Sequence, residues 1–146
     1  MKLSTRSRYG LKAVVDIALG EGKSISIKSM SQRLDISENY LEQLIIKLKK
    51  AGILNSVRGA GGGYSLAEPP ENISVGRILN ILEGSLYPAA CLDEDDKTCG
   101  DGICNPCVTK GVWGKIYESV TLVVESITVM DLLNEHKKLY GDDDNA

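Results

Sequence analysis

Residues 37–66 read SENYLEQLIIKLKKAGILNSVRGAGGGYSL. The first half has the period of an amphipathic helix, with Leu41, Leu44, Ile45 and Leu48 at i, i+3, i+4 and i+7. Ser37 stands where an N-cap belongs and Gly52 where a helix stops, so the spacing predicts a helix over 38–51. Its other face is polar: Glu38, Asn39, Glu42, Gln43, Lys47 and Lys50. Ile53 to Val57 reads as a strand, residues 58–63 as a glycine-rich tip, and Tyr64 to Leu66 as the returning strand. No Gly-Lys-Ser/Thr ending follows the glycines and no helix starts directly after them, which excludes a phosphate-cradling loop.

Upstream, residues 28–34 form a short helix with Met30 and Leu34 inward, and Asp35-Ile36 makes a tight connection. Short helix, turn and amphipathic helix make a helix-turn-helix, in which the second helix sets its N-terminal residues against base edges. The glycine hairpin turns this into a winged helix. The candidate DNA-contacting residues are Ser37, Asn39, Tyr40, Glu42 and Gln43 on the helix, and Arg58, Gly59 and Gly61 at the wing. Glycines let the backbone approach DNA closely, and a single arginine suits a narrow minor groove. A further helix is expected over 5–20, capped by Ser4 or Thr5, with Leu11, Val14, Val15, Ala18 and Leu19 as its apolar stripe. Arg6, Arg8 and Lys12 in its first two turns read equally as a solvated face or as phosphate contacts.

Downstream, Ser74 caps a helix over 75–83 that Gly84 closes. After Pro106 the longest helix is expected from about Cys107 to Ile127. Val108, Val112, Ile116, Val120, Val123 and Ile127 form its stripe, widened by Trp113, Tyr117 and Val124. So apolar a helix in so small a chain is expected to bury against a second copy, making a homodimer. Thr128 and Asp131 resemble a capping box for a last helix over 129–139. The organisation expected is therefore mainly α with a small β wing. It runs as a winged helix-turn-helix head at 1–84, a cysteine-rich loop at 85–107, a dimerisation helix and C-terminal helix at 108–140, and a disordered acidic tail at 141–146.

Net charge is −3, which by itself disfavours nucleic acid. Its distribution does not. Residues 1–66 carry 11 Lys/Arg against 5 Asp/Glu, and residues 67–146 carry 6 against 15. A basic front on an acidic rear is what a DNA-binding head on an acidic body requires. Phe is absent, so the core must be aliphatic. No apolar run is long enough to span a bilayer and the start lacks a signal-peptide apolar region, so a cytoplasmic location away from membranes is expected.

All four cysteines, Cys91, Cys99, Cys104 and Cys107, fall in the segment CLDEDDKTCGDGICNPC, spaced C-x7-C-x4-C-x2-C. Glycine, proline and four consecutive acids keep that segment from being core. In a reducing compartment such thiols hold a metal or a cluster, or sense redox state. Zinc ribbons offer two C-x-x-C pairs and here there is one, whereas iron–sulfur clusters accept irregular spacing on loops with glycine and proline. Cluster, zinc and thiol switch all stay open on spacing alone. The lone histidine, His136, gives no Cys-His or Ser-His-Asp set, so no enzymatic activity is expected.

The blocks Ser37 to Leu44 (SENYLEQL), Ser56 to Tyr64 (SVRGAGGGY) and Ile81 to Gly84 (ILEG), with the opening Met1 to Tyr9, resemble the iron–sulfur cluster regulator (IscR) family of winged-helix transcription factors. The resemblance runs to about residue 135. It implies a homodimer, a cluster loop ahead of the dimerisation helix, recognition of a double-stranded DNA operator by helix 38–50 and the wing at Arg58, and control of iron–sulfur assembly genes. Iron–sulfur assembly proteins are further implied partners. Cysteine-metabolism repressors (CymR) belong to the same wider group but lack the cysteine set; they are the alternative, with zinc-bound or redox-sensing thiols. The four cysteines favour the cluster branch. Its members typically use three cysteines and a histidine: Cys91, Cys99 and Cys104 match the three, and Cys107 stands in the histidine's place. The implied cofactor is an iron–sulfur cluster, 2Fe–2S favoured over 4Fe–4S. Relatives that borrow an N-terminal carboxylate have an acid where this chain has Arg8, and Asn39 and Ala60 also depart from the family pattern. In the family the glutamate at Glu42 separates two operator classes; the plainer reading pairs Glu42 with Lys47 or Arg33.

Overall fold

The computed structural model describes residues 2–94 and 107–141. In chain order these give α1 (Thr5–Ala18), α2 (Ile27–Leu34), α3 (Glu38–Lys50), β1 (Leu54–Val57), β2 (Gly63–Leu66), α4 (Val75–Glu83), α5 (Lys110–Ser126) and α6 (Val129–Tyr140). Short 3-10 turns lie at Pro70–Asn72 and Ala90–Leu92. The fold is the expected winged helix, mainly α with a small antiparallel wing. No helix among the described residues is long and apolar enough to cross a membrane.

Local sequence accounts for most helix starts. The side chains of Ser26, Ser37 and Ser74 accept hydrogen bonds from the backbone N–H of Ser29, Tyr40 and Arg77 at 3.2, 3.3 and 3.0 Å. Each satisfies a donor that the first turn of its helix leaves orphaned, worth about 1 kcal/mol. The capping box of α6 is complete: Asp131 N–H donates to Thr128 Oγ1 at 3.2 Å, and Thr128 N–H donates to Asp131 Oδ2 at 2.9 Å. Between α2 and α3, Asp35 takes the left-handed conformation at φ 54° and turns the chain sharply enough to bury Ile36.

The apolar stripes meet in one aliphatic core. Ala13, Val14 and Ile17 of α1, Met30 of α2, the four predicted residues of α3, Ile78 and Leu82 of α4, and Val129 of α6 are all buried in it. Burying one such Leu or Ile contributes about 1.5–3 kcal/mol. Helix α1 lies at the centre, touching α2, α3, α4, α6 and β2. A second cluster of Val75, Leu79 and Leu86 sits between α4 and α5 and is covered by Tyr117, Val124 and Ile127.

Three expectations need correction. Helix α5 starts at Lys110 rather than Cys107, and Val108 lies outside it, almost wholly exposed. The α5 stripe also divides into two faces. Tyr117, Val124 and Ile127 cover the chain's own second cluster. Val112, Ile116 and Val123 face outward, 51%, 38% and 58% exposed. The third concerns Ser4, which holds the N-cap position of α1 but makes no side-chain cap bond. Its hydroxyl and its backbone N–H donate to Glu83 Oε1 at 2.5 and 2.8 Å, and the buried Ser7 hydroxyl donates to the same oxygen at 2.5 Å. These donors, Ser4's hydroxyl foremost, hold the Glu83 carboxyl below its usual range.

The wing is the hairpin β1–β2, with Leu54 opposite Leu66 and Val57 opposite Gly63. Residues 24–27 supply a bridge to it: Ile25 and Tyr64 exchange two backbone hydrogen bonds of 2.8 Å. That bridge explains Gly63. A Cβ there would collide with the carbonyl of Ile25. Gly61, by contrast, has open space around its Cα. Gly63→Ala is therefore expected to destabilise the fold by roughly 1–3 kcal/mol through overpacking. Gly61→Ala should stay within about 0.5 kcal/mol of wild type. Urea denaturation of the two variants checks both.

Candidate nucleic-acid interface and cysteine segment

The exposed face of α3 is set by what its other face buries. With Leu41, Leu44, Ile45 and Leu48 in the core, the helical period turns Asn39, Glu42 and Gln43 to solvent, and all three are exposed. Ser37 is exposed at the helix start. Its oxygen accepts the cap bond, which leaves the hydroxyl proton to donate outward. Tyr40 differs from these. It is half-buried and packs edge-on against Tyr9 of α1, ring centroids 6.0 Å apart, so part of its surface holds α1 to α3. Glu42 pairs with neither lysine nor arginine among the described residues. Arg33 is already taken by Asp16 through two bonds of 2.9 and 2.7 Å. An unpaired carboxylate on this face can accept from cytosine N4 and is repelled by a site that offers only acceptors.

Ile46 was not among the candidates. It is 46% exposed and lies on the same helical face as Asn39, Glu42 and Gln43. The signal was in the sequence: an isoleucine off the four-residue core stripe. A branched apolar side chain there can contact a thymine methyl.

At the wing, Arg58 follows β1 directly and is exposed. Gly59 has φ 107°, which favours glycine, and Gly61 is exposed, its carbonyl accepting from Ser24 Oγ at 2.5 Å. The glycines of the tip thus divide. Gly62 and Gly63 are required by contacts within the chain, and Gly61 is left with no internal reason to lack a side chain.

Of the four cysteines, Cys91 and Cys107 are described; Cys99 and Cys104 lie outside the described residues, as does the tail at 142–146. Cys91 sits in the 3-10 turn Ala90–Leu92, which packs on α5, and Tyr87 just before it meets Tyr117 of α5 with ring centroids 4.8 Å apart. Cys107 lies three residues ahead of α5. Both thiols are free and half-buried. Cys107 Sγ lies 3.3 Å from Thr109 Oγ1. That contact, the N–H groups of Thr109 and Lys110, and the Lys110 charge hold its thiol below the ordinary range. A thiolate is the form that ligates metal. The two ends of the cysteine segment are thus unbridged soft donors, one in a turn packed on α5 and one just ahead of α5, and their chemistry fits a thiolate-held iron–sulfur cluster or zinc. Among the described residues no three His, Cys, Asp or Glu side chains converge on one point.

The sequence profile of Rrf2, described as an iron-dependent transcriptional regulator, matches residues 3–135. The chain is 40% identical to the protein rrf2 of Nitratidesulfovibrio vulgaris, over 92% of this chain and 89% of that one. It superposes on the solved CymR of B. subtilis, the global cysteine regulator of that organism, with a TM-score of 0.75 and 36% identity, covering 92% and 98% of the two chains. The T. potens IscR structure gives a TM-score of 0.75 with 43% identity, covering 96% and 91%.

On this geometry, Gly61→Ala should weaken DNA binding while leaving stability unchanged. Arg58→Ala should weaken it most where an A/T-rich minor groove faces the wing tip. Fluorescence anisotropy on duplexes that differ only in flanking A/T content reads both.

Proposed function

Since the chain belongs to the Rrf2 family of transcriptional regulators, we propose that it senses iron–sulfur cluster status through Cys91, Cys99, Cys104 and Cys107 and controls iron–sulfur assembly genes from the cytoplasm. Its family makes it a DNA-binding regulator and not an enzyme. The observation that carries the finer reading is the pair of free thiols that bound the cysteine segment, Cys91 in a turn packed on α5 and Cys107 just ahead of its first residue. When bound, a cluster supplies a cross-link whose presence depends on iron, sulfide and oxidant. A 2Fe–2S cluster is favoured over 4Fe–4S, and iron–sulfur assembly proteins are natural partners. The protein's own part is to hold thiolates at both ends of the segment and to present α3 and the wing to DNA. Ser37, Asn39, Tyr40, Glu42 and Gln43 meet the major groove, while Arg58, Gly59 and Gly61 meet the minor groove and its phosphates.

The outward face of α5 completes this arrangement. Val112, Ile116 and Val123 form an exposed apolar row on a 17-residue helix. A twofold pairing of two such rows buries them and sets two heads side by side, the symmetry that palindromic operators match.

Protein purified anaerobically should contain iron and acid-labile sulfide, and Cys91→Ala or Cys107→Ala should bleach it. Stoichiometric zinc without sulfide would overturn the cluster reading. The likeness to CymR would then favour a cysteine- or sulfur-metabolism repressor whose thiols bind zinc or sense oxidation.

Ile116→Asp would place a charge in the dimer interface. Sedimentation should report a monomer; a variant that stays dimeric would remove this face of α5 from the interface.

A further inference from the structure

Glu83 ends α4, where a carboxylate opposes the helix dipole and costs that helix about 0.3–1 kcal/mol. Nothing in α4 asks for it there. What it holds is the start of α1: three donors from Ser4 and Ser7 converge on one of its oxygens. Ser7 is 1% exposed, so this contact is built into the fold. The segment it fixes is basic. Arg6 and Arg8 stand in the first turn of α1, which contains no acid, and Lys12 follows one turn on. All three are exposed. Arginines at the positive end of a helix, in a first turn with no acid, weaken that helix, and although Glu83 attracts Arg6, helix stability does not explain the basic set.

Their position does. Arg8 and Lys12 flank the ring of Tyr9 at 6.0 and 5.9 Å, and Tyr9 packs edge-on against Tyr40 of α3. Tyr9 and Tyr40 thereby link Arg8 and Lys12 to α3, the helix that exposes Asn39 and Gln43. We propose that Glu83 is a positioning residue for DNA binding: by fixing the first turn of α1, it holds Arg6, Arg8 and Lys12 against duplex phosphates beside the recognition helix. This rests on the DNA-binding reading and is independent of the cluster.

The sign of one substitution separates positioning from bare electrostatics. A carboxylate near phosphates repels them, so its removal should tighten DNA binding unless its task is to hold the cations in place. The experiment measures binding to a duplex of arbitrary sequence across a range of salt. Each lost phosphate contact removes about 0.9 from the slope of log affinity against log salt, so a tenfold rise in salt then costs about eightfold less affinity. Arg8→Gln should show that loss. Glu83→Gln should lower both affinity and slope in the same direction, and Arg8→Gln added to it should remove less slope than it does in wild type. Equal or tighter binding by Glu83→Gln with an unchanged slope overturns the proposal. Thermal melts of each variant establish that it is folded at the assay temperature. Should Glu83→Gln fail that check, Ser4→Ala decides: it removes one donor and keeps the others, and an unchanged slope there overturns the proposal equally. Salt-independent binding by wild type would instead defeat the DNA-binding reading itself.

Discussion

Helices α1 and α4 touch at Gly10, where Leu82 occupies the space a side chain would need. A side chain at Gly10 would displace that of Leu82, and much else follows from the closeness of the two helices. It lets Glu83, the residue after Leu82, reach Ser4 and Ser7. It places α1 where its other faces can touch α3, α6 and β2 together. In a core without phenylalanine, close helix approach must compensate for the missing aromatic area, since dispersion contacts fall off within an ångström of separation. Helix α3 is held indirectly. Its buried face meets α1, and its Tyr40 leans on Tyr9.

The same framework connects the winged-helix head to the turn that carries Cys91. Helix α4 belongs to the head through Ile78 and Leu82, and to the second cluster through Val75 and Leu79. Helix α5 rests on that second cluster and also carries the turn that contains Cys91. At its far end the chain returns to the head: Val75 N–H donates to Ile127 carbonyl at 2.8 Å, and Val129 N–H donates to Ile73 carbonyl at 2.9 Å. The turn that contains Cys91 thus has a short, packed route through α5 to α4, the helix that Glu83 ties to α1.

Much of this was legible in the sequence because its causes are local. The stripe of α3, the serine caps and the Thr128–Asp131 box are each decided within a turn of helix. The expected division into basic head and acidic rear needed nothing but counting. What could not be read has causes far away in the chain. Ser4 looks like an N-cap until Glu83, 79 residues on, takes its hydroxyl. Periodicity showed that α5 is apolar but could not separate Tyr117 and Val124, which the chain keeps for itself, from Val112 and Val123, which it leaves outside. The glycines of the wing look alike in sequence, yet Gly63 answers to the carbonyl of Ile25, while none of the described residues fills the space a Gly61 side chain would take. Ile46 shows the opposite case, a departure from a clear stripe that was present in the sequence and went unweighed.

Control of DNA binding by the cysteine segment is the point on which the proposed function turns. The direct measurement is an anaerobic titration of a duplex carrying the promoter of the protein's own gene. It compares iron–sulfur-loaded protein with the same preparation after chelation, at one fixed salt concentration. The account predicts that affinity changes at least about tenfold between the two states, a coupling of about 1.4 kcal/mol. Equal affinity in both states, with iron and sulfide confirmed in the first, would contradict it.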